Sequence, residues 1–273
     1  KLLDWLNEEQ EFQIIVERNE HRYYMGTFYK VGVPAEYSWL TIILDENELV
    51  LPRGLKKVNE KGNAKATTNK VMWDVNSLFY LVAQKGANII NTSNLKSLLT
   101  NAEYVICTDL KREIADFITI SEATKTICFI HCKAGNSRLS ASAFQEVCGQ
   151  VIKNLDYVNP NSERIPYDIA TWNGDWSHKS YKVTLSRRIH NPGGLSSENI
   201  WEKLKTIQND PESKTYVIAL MGDAFSKTKY LSQKRRNLSK QEPEVIQIDY
   251  ILNQTAIAVG RAQAEFIVAF NKL

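Results

Sequence analysis

The sequence predicts an α/β protein: a mixed central sheet flanked by helices, with a β-rich part in front of it. Three observations predict this class. Apolar runs of strand length recur along the chain, among them "AEYVICTDL" (102–110), "EIADFITI" (113–120), "TICFIHCKA" (126–134), "KTYVIALMG" (214–222) and "AEFIVAF" (264–270). Other segments repeat their apolar residues at helical spacing, as in "SASAFQEVCGQVIKNL" (140–155), where Phe144, Val147, Cys148, Val151 and Leu155 share one face. The resulting core order is helix, strand, strand, strand, helix, strand, which suits a layered mixed sheet.

The elements follow in chain order. A short amphipathic opening precedes the strand-like runs "FQIIVERN" (12–19), "RYYMGTFYKVG" (22–32) and "SWLTIILD" (38–45). Turn chemistry in "NEHR" and "VPAEY" separates them, so a small antiparallel meander is expected. "LKKVNEKGNAKATTNK" (55–70) is polar and lysine-rich and reads as an exposed loop joining two parts. Residues 1–70 are therefore expected to form a β-rich subdomain with its linker, and residues 71–273 the α/β core with a C-terminal helix and strand.

"VNSLFYLVAQKG" (75–86) predicts a helix capped by Asn76 or Ser77, with Gly86 near its end. The runs 113–120 and 126–134, joined by "SEATK", predict a hairpin. In the helix over 140–155, Ser142 with Gln145 fits a capping box. A long loop holding "TWNGDWSHKS" (171–180) follows, then a strand "YKVTLSRRI" (181–189), a helix near 197–208 and the strand 214–222. A basic loop over 226–240 leads to a helix starting near Pro243 and to the closing strand.

Composition sets bounds. The 273 residues are 43% hydrophobic and 24% charged, as in ordinary soluble domains, and the formal charge of +3 neither requires nor excludes a nucleic-acid partner. No run of ~18 apolar residues occurs, so no membrane span is expected. The acidic, amphipathic start does not read as a signal peptide. Cys107, Cys128, Cys132 and Cys148 form no C-x-x-C, and three of them lie in apolar runs. They read as small buried side chains in a reducing cytoplasm. A zinc site from Cys128, His131 and Cys132 has poor ligand spacing. The chain has no Walker-type Gly-Lys-Ser/Thr and is not itself a motor.

"FIHCKAGNSR" (129–138) is the stretch on which function turns. If the hairpin sets Ile120 opposite Ile127, then Asp116 lies opposite His131, and Lys133 shares their face. Asp116, His131 and Lys133 would then gather at the open end of the hairpin. A metal-dependent nuclease needs such a set: an aspartate on one strand, a second ligand and a lysine two residues apart on the next, and a Mg²⁺ ion to activate water. Imidazole favours softer metals than Mg²⁺, so Mn²⁺ would suit His131 better. Alternatively Glu113 or Glu146 supplies the second carboxylate, with Gln150 completing the site from the helix. Taken alone, this spacing is also compatible with a solvated aspartate and a strand-end lysine.

"CTDLKREIADFITI", "ICFIHCKAG" and "SASAFQEVCGQVIKNL", followed by "WNGDW", resemble restriction-endonuclease-like (PD-(D/E)xK-type) regions associated with bacterial superfamily-two helicases in phage-defence loci. The resemblance extends over most of the chain, including "NSLFYLV" and "EVIQIDYIL", and rests on the patterns D-x-x-x-E-x-A-D-F-I and F-x-H-x-K. It implies a restriction-endonuclease-like core and a site of Asp116, His131 and Lys133 with Glu113 in support. It further implies Mg²⁺ or Mn²⁺, a DNA substrate, and an anti-phage effector working with a helicase or NTPase. His131 stands where that family usually has a carboxylate, which is a departure from its pattern.

Two other chemistries fit the same stretch. Cys132 to Arg138 matches C-x-x-x-x-x-R, the phosphate cradle of a cysteine phosphatase, with Cys132 as nucleophile and Arg138 as phosphate clamp. Leu139 then stands where that family has Ser or Thr. A non-catalytic DNA-binding or interaction module of a defence complex is the third reading. Elsewhere, Lys227, Lys229, Lys234, Arg235 and Arg236 read either as a solvated loop or as contacts to a DNA backbone. Arg187 and Arg188 could extend a basic rim. Trp172 and Trp176 read as plugs beneath their loop, and His190 as a turn residue.

Overall fold

The computed structural model describes residues 47–52, 59–135 and 137–272, with the backbone of a few earlier positions. The chain forms two compact units, Lys1–Trp39 and Leu40–Leu273. In the first, β1 (Ile14–Ile15), β2 (His21–Tyr24) and β3 (Thr27–Lys30) form an antiparallel three-stranded sheet. The opening helix and the run 38–45 lie outside the described residues. The joining segment expected over 55–70 falls within the second unit, and so does β4 (Glu48–Leu49).

The second unit is a mixed α/β layer structure. Its elements are α1 (Leu78–Ala83), α2 (Asn94–Asn101), β5 (Tyr104–Cys107), β6 (Phe117–Ser121), β7 (Thr126–Cys132), α3 (Ala141–Lys153) and α4 (Leu155–Val158). There follow β8 (Asp175–His178), β9 (Val183–Ser186), β10 (Arg188–His190), α5 (Ser197–Gln208), β11 (Lys214–Leu220), α6 (Lys227–Lys234), α7 (Pro243–Arg261) and β12 (Glu265–Asn271). Seven strands make one sheet in the order β10-β5-β6-β7-β11-β12-β4. The half from β10 to β7 is antiparallel and the half from β7 to β4 is parallel. Antiparallel neighbours need only short loops, whereas the parallel step from β7 to β11 requires a long crossover, which α3, α4 and α5 supply.

The sheet is buried on both faces, so its strands read as continuous apolar runs. Val105, Cys107, Phe117, Cys128, Ile130, Cys132, Ile218, Leu220, Ile267 and Ala269 join α1, α2, Trp73 and Trp176 in one core. The opposite face, with Ile106, Ile118, Phe129, His131, Val217 and Val268, packs under the layer that contains α3, α5 and α7.

Several elements differ from expectation. The cap of α3 is Ser140, whose hydroxyl accepts from Ala143 N, so the helix starts two residues before the predicted box. The run 181–189 divides: β9 pairs with β8 in a separate hairpin, while β10 joins the large sheet beside β5. The segment 226–240 is not simply a loop. Ser226 accepts from Lys229 N and caps α6, which buries Tyr230 and Gln233. Helix α2 was not anticipated, since only Leu95 and Leu99 along it are buried. Trp172 and Trp176 are buried plugs, as expected. All four cysteines are free and buried. No helix among the described residues is long and apolar enough to cross a membrane.

Candidate metal centre

The loop between β5 and β6 carries three acids, Asp109, Glu113 and Asp116. Each brings an oxygen within 4.8 Å of the other two. Several contacts turn this loop inward. Ile114 and Ala115 are buried. Thr108 Oγ1 donates to Ala115 O at 2.6 Å. Asn154, at the end of α3, donates to Glu113 O at 3.1 Å. Arg187, between β9 and β10, donates through Nη1 to Asp109 O at 2.9 Å and Cys107 O at 3.3 Å. The loop is thus pinned by main-chain contacts, which leaves its carboxylates free to converge.

Each carboxylate also has its own hydrogen-bond donor. Asp109 Oδ2 accepts from Trp176 Nε1 at 2.8 Å and lies 2.9 Å from Lys61 Nζ. Glu113 Oε1 accepts from Gln150 of α3 at 3.2 Å. Asp116 Oδ2 accepts from Cys132 N at 2.7 Å.

The electrostatics follow from enclosing like charges together. Burial pushes the Asp116 carboxyl well above the ordinary range; the charges of Asp109 and Glu113 add to that, against the Cys132 hydrogen bond. Glu113 is pushed up to about 7 by burial, then by the charge of Asp109 and the hydrogen bond shared with it. Burial opposes the charge on Lys61, but Asp109, with Asp116 and Glu60, holds its ammonium above the ordinary lysine range. Three carboxylates at this spacing repel one another unless protons or a cation neutralise them. An all-oxygen donor set fits a hard divalent cation such as Mg²⁺ or Mn²⁺.

The predicted site residues separate here. The predicted register is present, with Ile120 opposite Ile127 and the ladder intact to Phe117 opposite Ile130. There the regular ladder ends. Asp116 N bonds to Ile130 O, and the Asp116 carboxylate takes the Cys132 N–H, so the extrapolated pairing of Asp116 with His131 is not made. His131 is buried outside the three-acid group, with Nδ1 lacking a partner. Burial, and then the charge of Lys153 on α3, push its imidazole down to about 3, so it is neutral. Lys133 Nζ sits 2.5 Å from Glu146 of α3 and 4.0 Å from Glu60. Asp116 and Glu113 are thus brought together, whereas His131 is not among the grouped ligands and Lys133 pairs with Glu146.

The phosphatase chemistry finds no support in this geometry. Cys132 is 3% exposed, and burial followed by the Asp116 charge pushes its thiol well up, the reverse of an activated thiolate. Arg138 is exposed, with a left-handed backbone at φ 60°. The basic set also divides. Lys234 lies 2.7 Å from the fully enclosed carboxylate of Asp249, and Lys229 lies 3.3 Å from Glu242. Lys227 begins α6, whereas Arg235 and Arg236 are exposed beyond its end.

Sequence reasoning missed Asp109 and Lys61, and missed Trp176 as the donor to Asp109. Asp109 had a signal, since it opens the D-x-x-x-E-x-A-D-F-I pattern. Lys61, in a polar stretch distant along the chain, had none. No protein-family model, curated protein or solved structure matches the chain.

Proposed function

We propose that this chain is a metal-dependent endonuclease acting on nucleic acid, with DNA as the substrate class to test first. The observation that carries the reading is the convergence of Asp109, Glu113 and Asp116 within 4.8 Å at one end of a mixed sheet. The sheet supports it as well. Asp116 immediately precedes β6, which lies between β5 and β7 in the antiparallel half of the sheet, so the acids sit at a strand end rather than on a remote loop.

Asp109, Glu113 and Asp116 would hold Mg²⁺ or Mn²⁺, which when bound supplies a more acidic water and charge compensation for a phosphodiester. The chain's own residues set the stage for this. Trp176 and Gln150 orient Asp109 and Glu113 through one hydrogen bond each, and the Cys132 N–H orients Asp116. The buried imidazole of His131 is no ligand in this reading. The helicase or NTPase partner implied by the resemblance has no support among the described residues.

Titration of the whole chain with Mn²⁺ by calorimetry, alongside nicking of supercoiled plasmid DNA, tests the reading. Mn²⁺ binding and nicking are expected in the wild type, with both lost in Asp116→Asn. Absence of Mn²⁺ binding would return the acids to a structural ion-pair network and favour the non-catalytic module. Binding without cleavage of DNA or RNA would reject the nuclease.

A further inference from the structure

We propose that Lys61, rather than Lys133, is the lysine of the acid site and the group that meets the substrate phosphate. The proposal deepens the nuclease reading and rests on it.

Position distinguishes the two lysines. Lys61 Nζ is 2.9 Å from Asp109 Oδ2 and feels Asp116 as well, whereas Lys133 is committed to Glu146 at 2.5 Å. The two lysines are linked through Glu60, which lies 3.6 Å from Lys61 and 4.0 Å from Lys133. Lys133 therefore occupies the rim of this charge series and Lys61 its inner end. The side chain of Lys61 is 18% exposed, which leaves it reachable from outside.

The chain also holds Lys61 firmly in place. Asn59 O and Glu60 O accept from Leu78 N at 2.8 Å and Phe79 N at 3.0 Å, so the turn before Lys61 is tied to the first N–H groups of α1. Gly62 takes φ +105°, and a Cβ there would collide with the Asp74 side chain. Asp74 in turn accepts from Asn63 N at 2.6 Å and pairs with Lys70. The ammonium also lies 4.9 Å from the Phe79 ring centroid. A solvated loop lysine needs none of this; a lysine aimed at a site does.

Arg187 brings a second positive charge to the acid loop. It is 7% exposed, its Nε has no hydrogen-bond partner, and no described carboxylate lies within 4.0 Å of its guanidinium, which adjoins the acid loop through Asp109 O. Two cations thus converge on Asp109, one on its carboxylate and one on its carbonyl. With Asp109 committed to a divalent cation, Lys61 gives up its shortest ion pair and keeps Glu60 at 3.6 Å, and a phosphate oxygen is the anion that would take the place of Asp109. The flexible stem of lysine allows such a transfer of partner over a few ångströms.

The test uses the whole chain and the variants Lys61→Met, Lys61→Arg and Lys133→Met, each checked for an unchanged circular dichroism spectrum. Mn²⁺ affinity is read by calorimetry and Mn²⁺-dependent nicking on supercoiled plasmid DNA. Lys61→Met removes a positive charge beside the ligands, so Mn²⁺ should bind about tenfold tighter. Its nicking should fall by ~10²–10³-fold. Lys61→Arg should recover part of the nicking, and Lys133→Met should stay within a few-fold of wild type in both readouts. Nicking lost in Lys133→Met and kept in Lys61→Met would overturn the proposal. So would an Mn²⁺ affinity unchanged or weakened in Lys61→Met. If the wild type binds Mn²⁺ but cleaves no nucleic acid, the nuclease reading alone fails, and the Mn²⁺ affinity of Lys61→Met still decides whether Lys61 is the cation of the site.

Discussion

Replacing Glu113 with glutamine should flatten the dependence of stability on pH. The amide would keep the length of the side chain and an oxygen to accept from Gln150, which now donates to Glu113 Oε1 at 3.2 Å. It would remove a carboxyl that burial and Asp109 push from 4.5 up to about 7. The sign follows from linkage. A raised folded-state value favours folding below about pH 4.5, where both states hold the proton, and that advantage is lost as pH rises through about 7. For a fully enclosed group the full interval would correspond to ~3.4 kcal/mol. Glu113 is only half-buried, so solvent screening reduces this to about 1–2 kcal/mol. In a chain of this length that corresponds to roughly 3–6 °C in melting temperature. Thermal unfolding in EDTA at pH 5 and pH 8.5 reads it. Wild type should lose that much more than Glu113→Gln between the two conditions, on top of whatever both lose. Parallel pH profiles, or a larger alkaline loss in the variant, would refute the account of a crowded acid cluster.

Lys234→Glu should destabilise the chain by about 3–5 kcal/mol, since it sets a second carboxylate against the enclosed Asp249, whereas Arg235→Glu with Arg236→Glu should leave the melting temperature unchanged. If those two arginines touch a DNA backbone, the double variant should lower the log–log salt slope of binding by about 0.9 per lost contact, and an unchanged slope would remove them from the interface. Cys132→Ser should cost roughly 1–2 kcal/mol in urea unfolding, through burial of a hydroxyl, and spare Mn²⁺-dependent nicking. Phosphate-ester turnover in EDTA that disappears in Cys132→Ser would instead establish thiol chemistry.

The layer architecture was legible because both faces of the sheet are buried, which leaves long apolar runs in the sequence. The hairpin register was legible too, since Ile120 and Ile127 flank a short polar turn. The site was half legible. Asp116 and Glu113 stand out by residue type and spacing, but extrapolating the ladder one residue past Phe117 placed His131 in their company. Spacing could not show that the Asp116 carboxylate replaces a main-chain acceptor for Cys132 N and ends the regular pairing there. Lys61 was hidden for another reason: its partner Asp109 lies beyond α1 and α2 along the chain, and no periodicity links such distant positions. Helix α6 was masked by composition, for its lysines outnumber the two residues, Tyr230 and Gln233, that it buries.

The acid loop has a consequence for the order in which the molecule assembles. Asp109, Glu113 and Asp116 lie between adjacent antiparallel strands, so local chain closure suffices to gather them. Lys61 reaches them only after a much larger loop has closed, and contacts of high sequence separation form more slowly. The repelling acids therefore meet before their lysine arrives, and in the interval only protons or dissolved ions can relieve them. Refolding in alkaline, cation-poor solution should slow at this hairpin, before Lys61 and the still more distant Arg187 reach it, and a refolding rate in stopped flow that does not change with pH or added Mg²⁺ would refute this.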